Sequence, residues 1–433
     1  MSRTSNELPR VSIVVLNWNG RDYLSDCFDS LQALDYPRDR LELLMVDNGS
    51  TDDSVAFMRA HYPQVKIVET GRNLGFAGGN NAGARAAGGE VVAFLNNDAH
   101  VVPDWLAELV RAMQSDPDVA CVGSRMMDLT GQRVEFGGSS INFYGYGYQE
   151  GYDRSNAADY SATRPTIFAC GGACLIRRDV FLESGGLDED YFIYYEDVDL
   201  GWRLWVMGYK VLYVGSAVVL HKHHGARHHM PDASRRVLYE RNAMLTMIKN
   251  YDEANLARIW PAALLLAIKR LYLMTGLDDR SYRIGYTGPK IAPAPGGAGI
   301  ARRWDKLRRQ GLLETGRRGV ALIRRTLGLT DPAYPPRNRK TLPGLEPGYD
   351  QVSRMALAHL VAANDVVDLL PRAFEKRAKV QAARRRSDAE IFHLFGRPFD
   401  PSFFDPAYEA TQAQLSQLFD VVGLFGGKDA RHE

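Results

Sequence analysis

Glu90-Val91-Val92-Ala93-Phe94-Leu95-Asn96-Asn97-Asp98-Ala99-His100 is the stretch on which the fold turns. Val91 to Leu95 is a short continuous apolar run, the signature of a strand buried on both faces of a parallel sheet. It stops abruptly at two amides and a carboxylate, and in open α/β sheets ligands gather just beyond the carboxyl ends of the strands. Asp98 therefore falls where chemistry is expected. It and its neighbours offer oxygen ligands for a hard divalent cation and hydrogen bonds for a sugar hydroxyl or a phosphate. The same residues would also serve as a polar loop in which Asp98 or Asp104 caps a helix beginning near Val102. Taken alone, the motif does not choose between these readings.

Working outward, Val11 to Leu16, Leu41 to Val46 and Val65 to Val68 read as strands, separated by helical patterns at Tyr23 to Leu34 and Ser54 to His61. A Gly-rich turn at Gly71 to Gly79 precedes a helix from Asn80 to Ala87. Beyond the central strand, the helix Val102 to Met113 leads to a strand at Val119 to Gly123. Strands alternating with helices in this rhythm define the α/β class, with a doubly wound, mainly parallel sheet covered on both faces. From Arg125 to Arg164 the composition shifts to Gly, Tyr and Ser, which reads as a hairpin and an irregular lobe. Ile167 to Ile176 returns to strand, interrupted by Gly171-Gly172. Glu196 to Met207 reads as helix, Val211 to Val214 and Ala217 to Leu220 as strands closed by His221, and Ser234 to Tyr251 as helix.

The 433 residues carry a formal net charge of +1, which argues against a general nucleic-acid binder. Basic residues nevertheless crowd Arg302 to Arg325 and Lys376 to Arg386. The 4 cysteines, Cys27, Cys121, Cys170 and Cys174, lack a paired CxxC pattern and sit in apolar or Gly-rich contexts, so buried reduced thiols are expected. That, and a polar amino terminus without a charged-then-apolar leader, gives a cytoplasmic expectation. Leu256 to Thr275 is apolar, but its unbroken run Ala262 to Ile268 falls well short of the about 20 residues of a spanning helix. It fits a core helix or one lying in a membrane interface, with Arg258 and Lys269 on one face. Gly285 to Gly299 reads as a linker. The remainder reads as a basic, mainly helical C-terminal region closed by a helix from Tyr408 to Leu424.

Three further constellations carry chemistry. Glu196, Asp197 and Asp199 crowd the start of a helix after Tyr194 and Tyr195, more carboxylates than the helix dipole needs, and one could act as a general base. Burial and mutual repulsion would raise that base's pKa, whereas the helix terminus would lower it. His221 opens the cluster His221, His223, His224, His228 and His229, and as the one at a strand end it could join Asp98 on a metal; a solvated histidine loop is the plainer reading. The amides of the Gly-rich segment Arg72 to Asn80 would suit a diphosphate, or simply form a tight turn. It has neither the Walker pattern nor the dinucleotide fingerprint.

Together, Val11-Ser-Ile-Val-Val-Leu-Asn-Trp-Asn, Val46-Asp-Asn-Gly-Ser-Thr-Asp, Asn73-Leu-Gly-Phe-Ala-Gly-Gly-Asn-Asn, Leu95-Asn-Asn-Asp, Glu196-Asp-Val-Asp-Leu and His221 resemble glycosyltransferase family 2, in order and spacing over roughly residues 10 to 250. The subgroup resembled is that of rhamnosyl- and galactofuranosyltransferase-like enzymes. The resemblance implies a GT-A fold over residues 1–230, with a nucleotide-sugar half at about 10–125 and an acceptor half at about 126–230. A helical extension at 231–284, a linker at 285–300 and the C-terminal region 301–433 would follow. Leu16, Trp18, Asp47, Arg72, Asn73, Asn96, Asn97 and Asp98 would bind the donor, and Gly171, Gly172 and Glu196 the acceptor. Asp98 and His221 would hold Mg²⁺ or Mn²⁺. Asp197 would be the catalytic base, with Glu196 in support. Asn96-Asn97-Asp98 stands where the family usually has Asp-x-Asp, which removes negative charge from the metal site.

The implied activity is inverting transfer from a dTDP- or UDP-sugar to a glycan or polyprenyl-diphosphate-linked acceptor in cell-surface polysaccharide synthesis. Peripheral contact with an anionic membrane at the cytoplasmic face would suit such an acceptor. A non-catalytic nucleotide-sugar or glycan binder on a degenerate scaffold is the rival from another class, against which Asp98, Asp197 and His221 weigh jointly. A nucleotidyltransferase would be expected to carry a basic, Gly-rich phosphate loop after its first strand, where this chain has Asn17-Trp18-Asn19-Gly20. The C-terminal region could instead serve oligomerisation or partner docking.

Overall fold

The computed structural model describes residues 8–155, 157–222, 230–276 and 353–426. The central strand is β4 (Val91–Asn96), flanked by β1 (Val11–Asn17), β2 (Leu41–Asp47) and β3 (Lys66–Glu69) in the order 3-2-1-4, all parallel. Val91 to Leu95 is buried throughout, as a continuous apolar run in a covered sheet requires. Short strands β5 (Ala99–Val101), β7 (Val134–Phe136), β8 (Ser139–Ile141), β9 (Gly147–Gln149) and β10 (Arg164–Pro165) decorate the sheet or form a separate hairpin. The long strands β6 (Val119–Asp128) and β12 (Lys210–His221) pair in parallel.

The helix-strand rhythm suggests that β6 continues the first half of the sheet directly. Instead β11 (Ala173–Arg177) lies between β4 and β6, antiparallel to both. The two predicted strands around Gly215 are one strand, β12, whose register with β6 shifts between Val214 and Val218. The sheet is mainly parallel and layered with helices α1 (Arg21–Gln32), α2 (Ser54–His61), α3 (Gly75–Ala86), α4 (Trp105–Gln114), α5 (Arg178–Glu183) and α6 (Glu196–Val206). That is the predicted α/β class.

Helix α3 begins at Gly75, before the expected Asn80. Its glycines are packing residues: a Cβ on Gly79 would come within 2.3 Å of Leu16 Cδ1, and one on Gly83 within 2.3 Å of Val14 Cγ1. Their absence of side chains lets the helix lie close on β1 and β2.

Helices α7 (Asp232–Asn250), α8 (Glu253–Thr275) and α9 (Arg354–Ala382) belong to the same compact unit as the sheet. α8 buries Leu256, Ile259, Ala262, Ala263, Leu266 and Arg270, and leaves Leu264, Leu265, Ile268 and Tyr272 exposed. Arg258 pairs with Asp420, so it does not share a free basic face with Lys269. No helix among the described residues is long and apolar enough to cross a membrane. The predicted terminal helix is two, Pro406–Leu418 and Val421–Leu424, broken where Asp420 takes φ 51°. The linker, the basic run from Arg302 to Arg325 and His223, His224, His228 and His229 lie outside the described residues. All four cysteines are free thiols.

Candidate active site

Strand register sets the site. Asn17 pairs with Asp47 and Leu16 with Asn96, so the carboxyl ends of β2, β1 and β4 finish level. Past β4 the chain turns into β5, which pairs with the end of β12 so that His221 lies opposite Ala99. The amide of Lys222 donates to the Asp98 carbonyl at 3.0 Å, fixing Asp98 beside His221.

Asp98 is buried, and its Oδ1 lies 3.1 Å from His221 Nε2. Nδ1 of the same ring is 2.7 Å from Glu135 Oε2. Burial works against the imidazolium, but hydrogen bonds and charge from Asp98 and Glu135 outweigh it and push the His221 pKa up to about 9. Among the described residues, no group of three or more His, Cys, Asp or Glu is arranged to hold a metal. The pair still fits one: a hard carboxylate oxygen and an imidazole nitrogen converge, with a carboxylate on the far ring nitrogen, the outer-shell arrangement of metal-binding histidines. A cation held there would replace the ring proton. Glu135 was not anticipated from the sequence. The only hint is its place between Val134 and Phe136, where alternation turns it away from the two buried side chains.

The acid pair lies close by through one short loop. Asp197 Oδ2 accepts from the Gly171 amide at 3.0 Å and Oδ1 from the Val198 amide at 2.8 Å. A Cβ on Gly172 would lie 2.7 Å from Asn96 Nδ2, which itself is 3.4 Å from His221 Nε2. Asp197, Gly171-Gly172, Asn96, His221 and Asp98 thus form one contiguous set. Burial raises the Asp197 pKa against the lowering effect of its backbone donors; an apolar pocket lined by Phe94, Ala169, Cys174, Leu187 and Leu200 adjoins it. Burial and the Asp197 charge together hold Glu196 well above the usual carboxylate range, and its buried Oε2 has no hydrogen-bond partner. Both carboxyl groups are thus held above their ordinary values, Asp197 by burial and Glu196 by burial and the charge of Asp197.

On the donor side, Trp18 is 43% exposed at the end of β1, Leu16 is half-buried beneath it, and Asp47 is buried with its carboxylate turned to the Ser50 amide. Arg72 and Asn73 are exposed beside this loop, where Gly49, at φ 75°, packs on the Arg72 backbone. Asn97 Nδ2 donates to Asn17 Oδ1 at 2.7 Å beneath Gly20, so its amide braces two strand ends. Three of the amides expected to cradle a diphosphate are engaged by protein. Leu74 N donates to Asn48 Oδ1, Gly75 N to Asn73 Oδ1 and Ala77 N to the Phe192 carbonyl. The start of α3 holds the loop that bears the acid pair, because Gly75 lets Phe192 approach so closely.

Level strand ends, an aspartate-histidine pair and an acid pair thus share one rim of the sheet. Residues 12–185 match the model of Glycosyl transferase family 2, and that stretch is a domain of the family. It is 31% identical over 229 residues to O-antigen biosynthesis protein RfbC of Myxococcus xanthus, covering 51% of this chain and 18% of that protein. It is 30% identical over 209 residues to N-acetylglucosaminyl-diphospho-decaprenol L-rhamnosyltransferase of Mycobacterium tuberculosis, covering 42% of this chain and 66% of that protein. The chain thus spans less than two thirds of the length of these relatives. Among solved structures, it is similar to mannosyltransferase PcManGT from Pyrobaculum calidifontis in complex with GDP-Man and Mn2+, at 18% identity and a TM-score of 0.46, over 84% of this chain and 88% of that one.

Proposed function

We propose that the chain is an inverting glycosyltransferase of cell-surface polysaccharide synthesis. It takes a sugar (rhamnose, another deoxyhexose or galactofuranose) from a dTDP- or UDP-sugar and passes it to a hydroxyl of a glycan or a polyprenyl-diphosphate-linked glycan. The observation that carries the reading is the contiguity of Asp197 with Asp98 and His221 across Gly171-Gly172. The relative named as an L-rhamnosyltransferase supports the choice of sugar.

In the reaction, the acceptor oxygen forms its bond to the anomeric carbon as the bond from that carbon to the diphosphate breaks. Asp197 takes the acceptor proton, and its two backbone N–H bonds hold the carboxylate in one orientation. Glu196, buried and with its pKa pushed up by burial and the charge of Asp197, supports Asp197 or meets the acceptor. Gly171 anchors Asp197 through its amide, and Gly172 lets Asn96 pack against the same loop, so the acceptor would meet the loop's backbone beside Asp197. Mg²⁺ or Mn²⁺ held by Asp98 and His221 would supply positive charge to the leaving diphosphate. Trp18 and Asp47 would receive the base, and Arg72 and Asn73 the rest of the nucleotide. Much of the rate comes from alignment of two substrates in one cleft.

The chain acts at the cytoplasmic face of the membrane, where its lipid-linked acceptor is held; the apolar outer face of α8 supports this placement. A panel of dTDP-, UDP- and GDP-sugars with Mn²⁺ tests the function. Turnover of a dTDP- or UDP-sugar, silenced by EDTA, is expected, and turnover indifferent to EDTA would remove the metal role.

A further inference from the structure

The acid pair sits on backbone that does not hold itself. Phe192, Tyr194 and Tyr195, just before Glu196, take φ of 64°, 70° and 71°, a region that side chains other than glycine rarely occupy. Such a turn persists only where its surroundings over-determine it. The start of α3 holds Phe192, and the rest of those surroundings comes from beyond residue 185, where the family match ends.

Helix α7 supplies the inner half. Asn242 is fully buried, and its Nδ2 lies 3.2, 3.2 and 2.7 Å from the carbonyls of Tyr191, Ile193 and Tyr194. Arg241 donates to the carbonyls of Asp190 and Tyr191. Lys249 Nζ, 2% exposed, lies 2.5 Å from Asp188 and 2.9 Å from Asp199. One ammonium thus ties Asp188, four residues before Phe192, to Asp199, two residues after Asp197. Helix α9 supplies the outer half: Lys376 meets the other oxygen of Asp188 and lies 2.6 Å from Asp190, and Arg372 lies 2.5 Å from Asp190.

We propose that α9 is an intramolecular clamp on the catalytic turn, with Lys376 a positioning residue that acts through Asp188 and Asp190 on the orientation of Glu196 and Asp197. The inference rests on the transferase reading for its effect on rate, and on geometry alone for its effect on the turn. A C-terminal segment more than 150 residues along the chain then belongs to the active site as scaffold, not as a separate docking module.

The test compares Lys376→Ala, Lys376→Arg and Arg372→Ala in the full chain by steady-state kinetics and by amide hydrogen exchange over the peptide spanning 188–199. Lys376→Ala is expected to lower kcat by about tenfold or more, since small misplacements of reacting groups are costly, while the donor KM stays within about twofold. Exchange in that peptide accelerates, Lys376→Arg restores both readouts, and Arg372→Ala shifts them less in the same direction. Wild-type kcat and exchange in Lys376→Ala overturn the clamp. Should that variant not fold, unchanged exchange in Arg372→Ala overturns it. Faster exchange in a protein whose wild type transfers no sugar would keep the clamp and remove the transferase reading; normal transfer with unchanged exchange removes the clamp alone.

Discussion

At the scale of single residues, Asp197, half-buried, and Glu196, buried, are neighbours that differ in what holds their charge. Asp197 receives backbone N–H donors on both oxygens, and Glu196 has an oxygen with no partner. Asp197→Asn is expected to lower kcat by about 10²–10⁴-fold, the range for losing a general base, while nucleotide affinity by calorimetry stays near wild type; retained transfer would refute the assignment. Because burial raises the Asp197 pKa, the acid limb of the pH-rate profile should lie above the ordinary aspartate value of 3.8, with activity rising as pH climbs through it. His221 depends on a residue the motifs do not contain. Glu135→Gln removes the carboxylate at Nδ1 and is expected to weaken Mn²⁺ affinity by about 10–100-fold, read by direct metal titration. Unchanged affinity would deny Glu135 that role.

At the scale of elements, what was legible in the sequence is what has a local signature. The buried strand Val91 to Leu95, the parallel rhythm around it and the polar strand ends all follow from period and punctuation within a few residues. The place of β11 does not, because antiparallel insertion between β4 and β6 is decided by pairing partners some eighty residues away in one case. The start of α3 was not legible for a related reason: glycine marks close approach as readily as a turn, and Leu16, which makes the approach at Gly79 close, belongs to another element. Asp98, Asp197 and His221 stood out as polar groups at element ends, whereas Asn242, Lys249 and Lys376 lie inside ordinary helical patterns and acquire meaning only through what they touch. Helix α8 illustrates both readings of an apolar stretch, burying one side while Leu264, Leu265, Ile268 and Tyr272 cover another at helical spacing. Replacing Leu265 and Ile268 together by Glu should reduce partition onto anionic liposomes at least tenfold, because each large aliphatic side chain contributes on the order of 1.5–3 kcal/mol when fully buried. Partition equal to wild type would detach this face from any membrane role.

At the scale of the whole molecule, the sheet domain and the C-terminal helices are joined through buried charge as well as apolar packing. Glu240 of α7 pairs with Arg270 of α8, lies 3.5 Å from His359 of α9 and accepts from Tyr146 in the lobe before β9. Burial alone would raise its pKa, but Arg270, His359 and Tyr146 outweigh it and lower the carboxyl to about 2 from an ordinary 4.5. A folded-state pKa below the unfolded one stabilises the native chain fully above pH 4.5 and progressively less as pH falls toward 2. A depression of this size corresponds to roughly 3 kcal/mol, an upper figure for the group's own share. Glu240→Gln should therefore be markedly less stable than wild type at pH 7, and removal of one partner from a buried pair typically costs about 3–5 kcal/mol. The gap between the two proteins should narrow between pH 4.5 and 2, where wild-type Glu240 takes up its proton and the glutamine variant has none to take up. Denaturant unfolding of both proteins across that range reads the difference directly. A gap independent of pH would mean that the four elements are joined here by shape, with the Glu240 charge contributing nothing to their union.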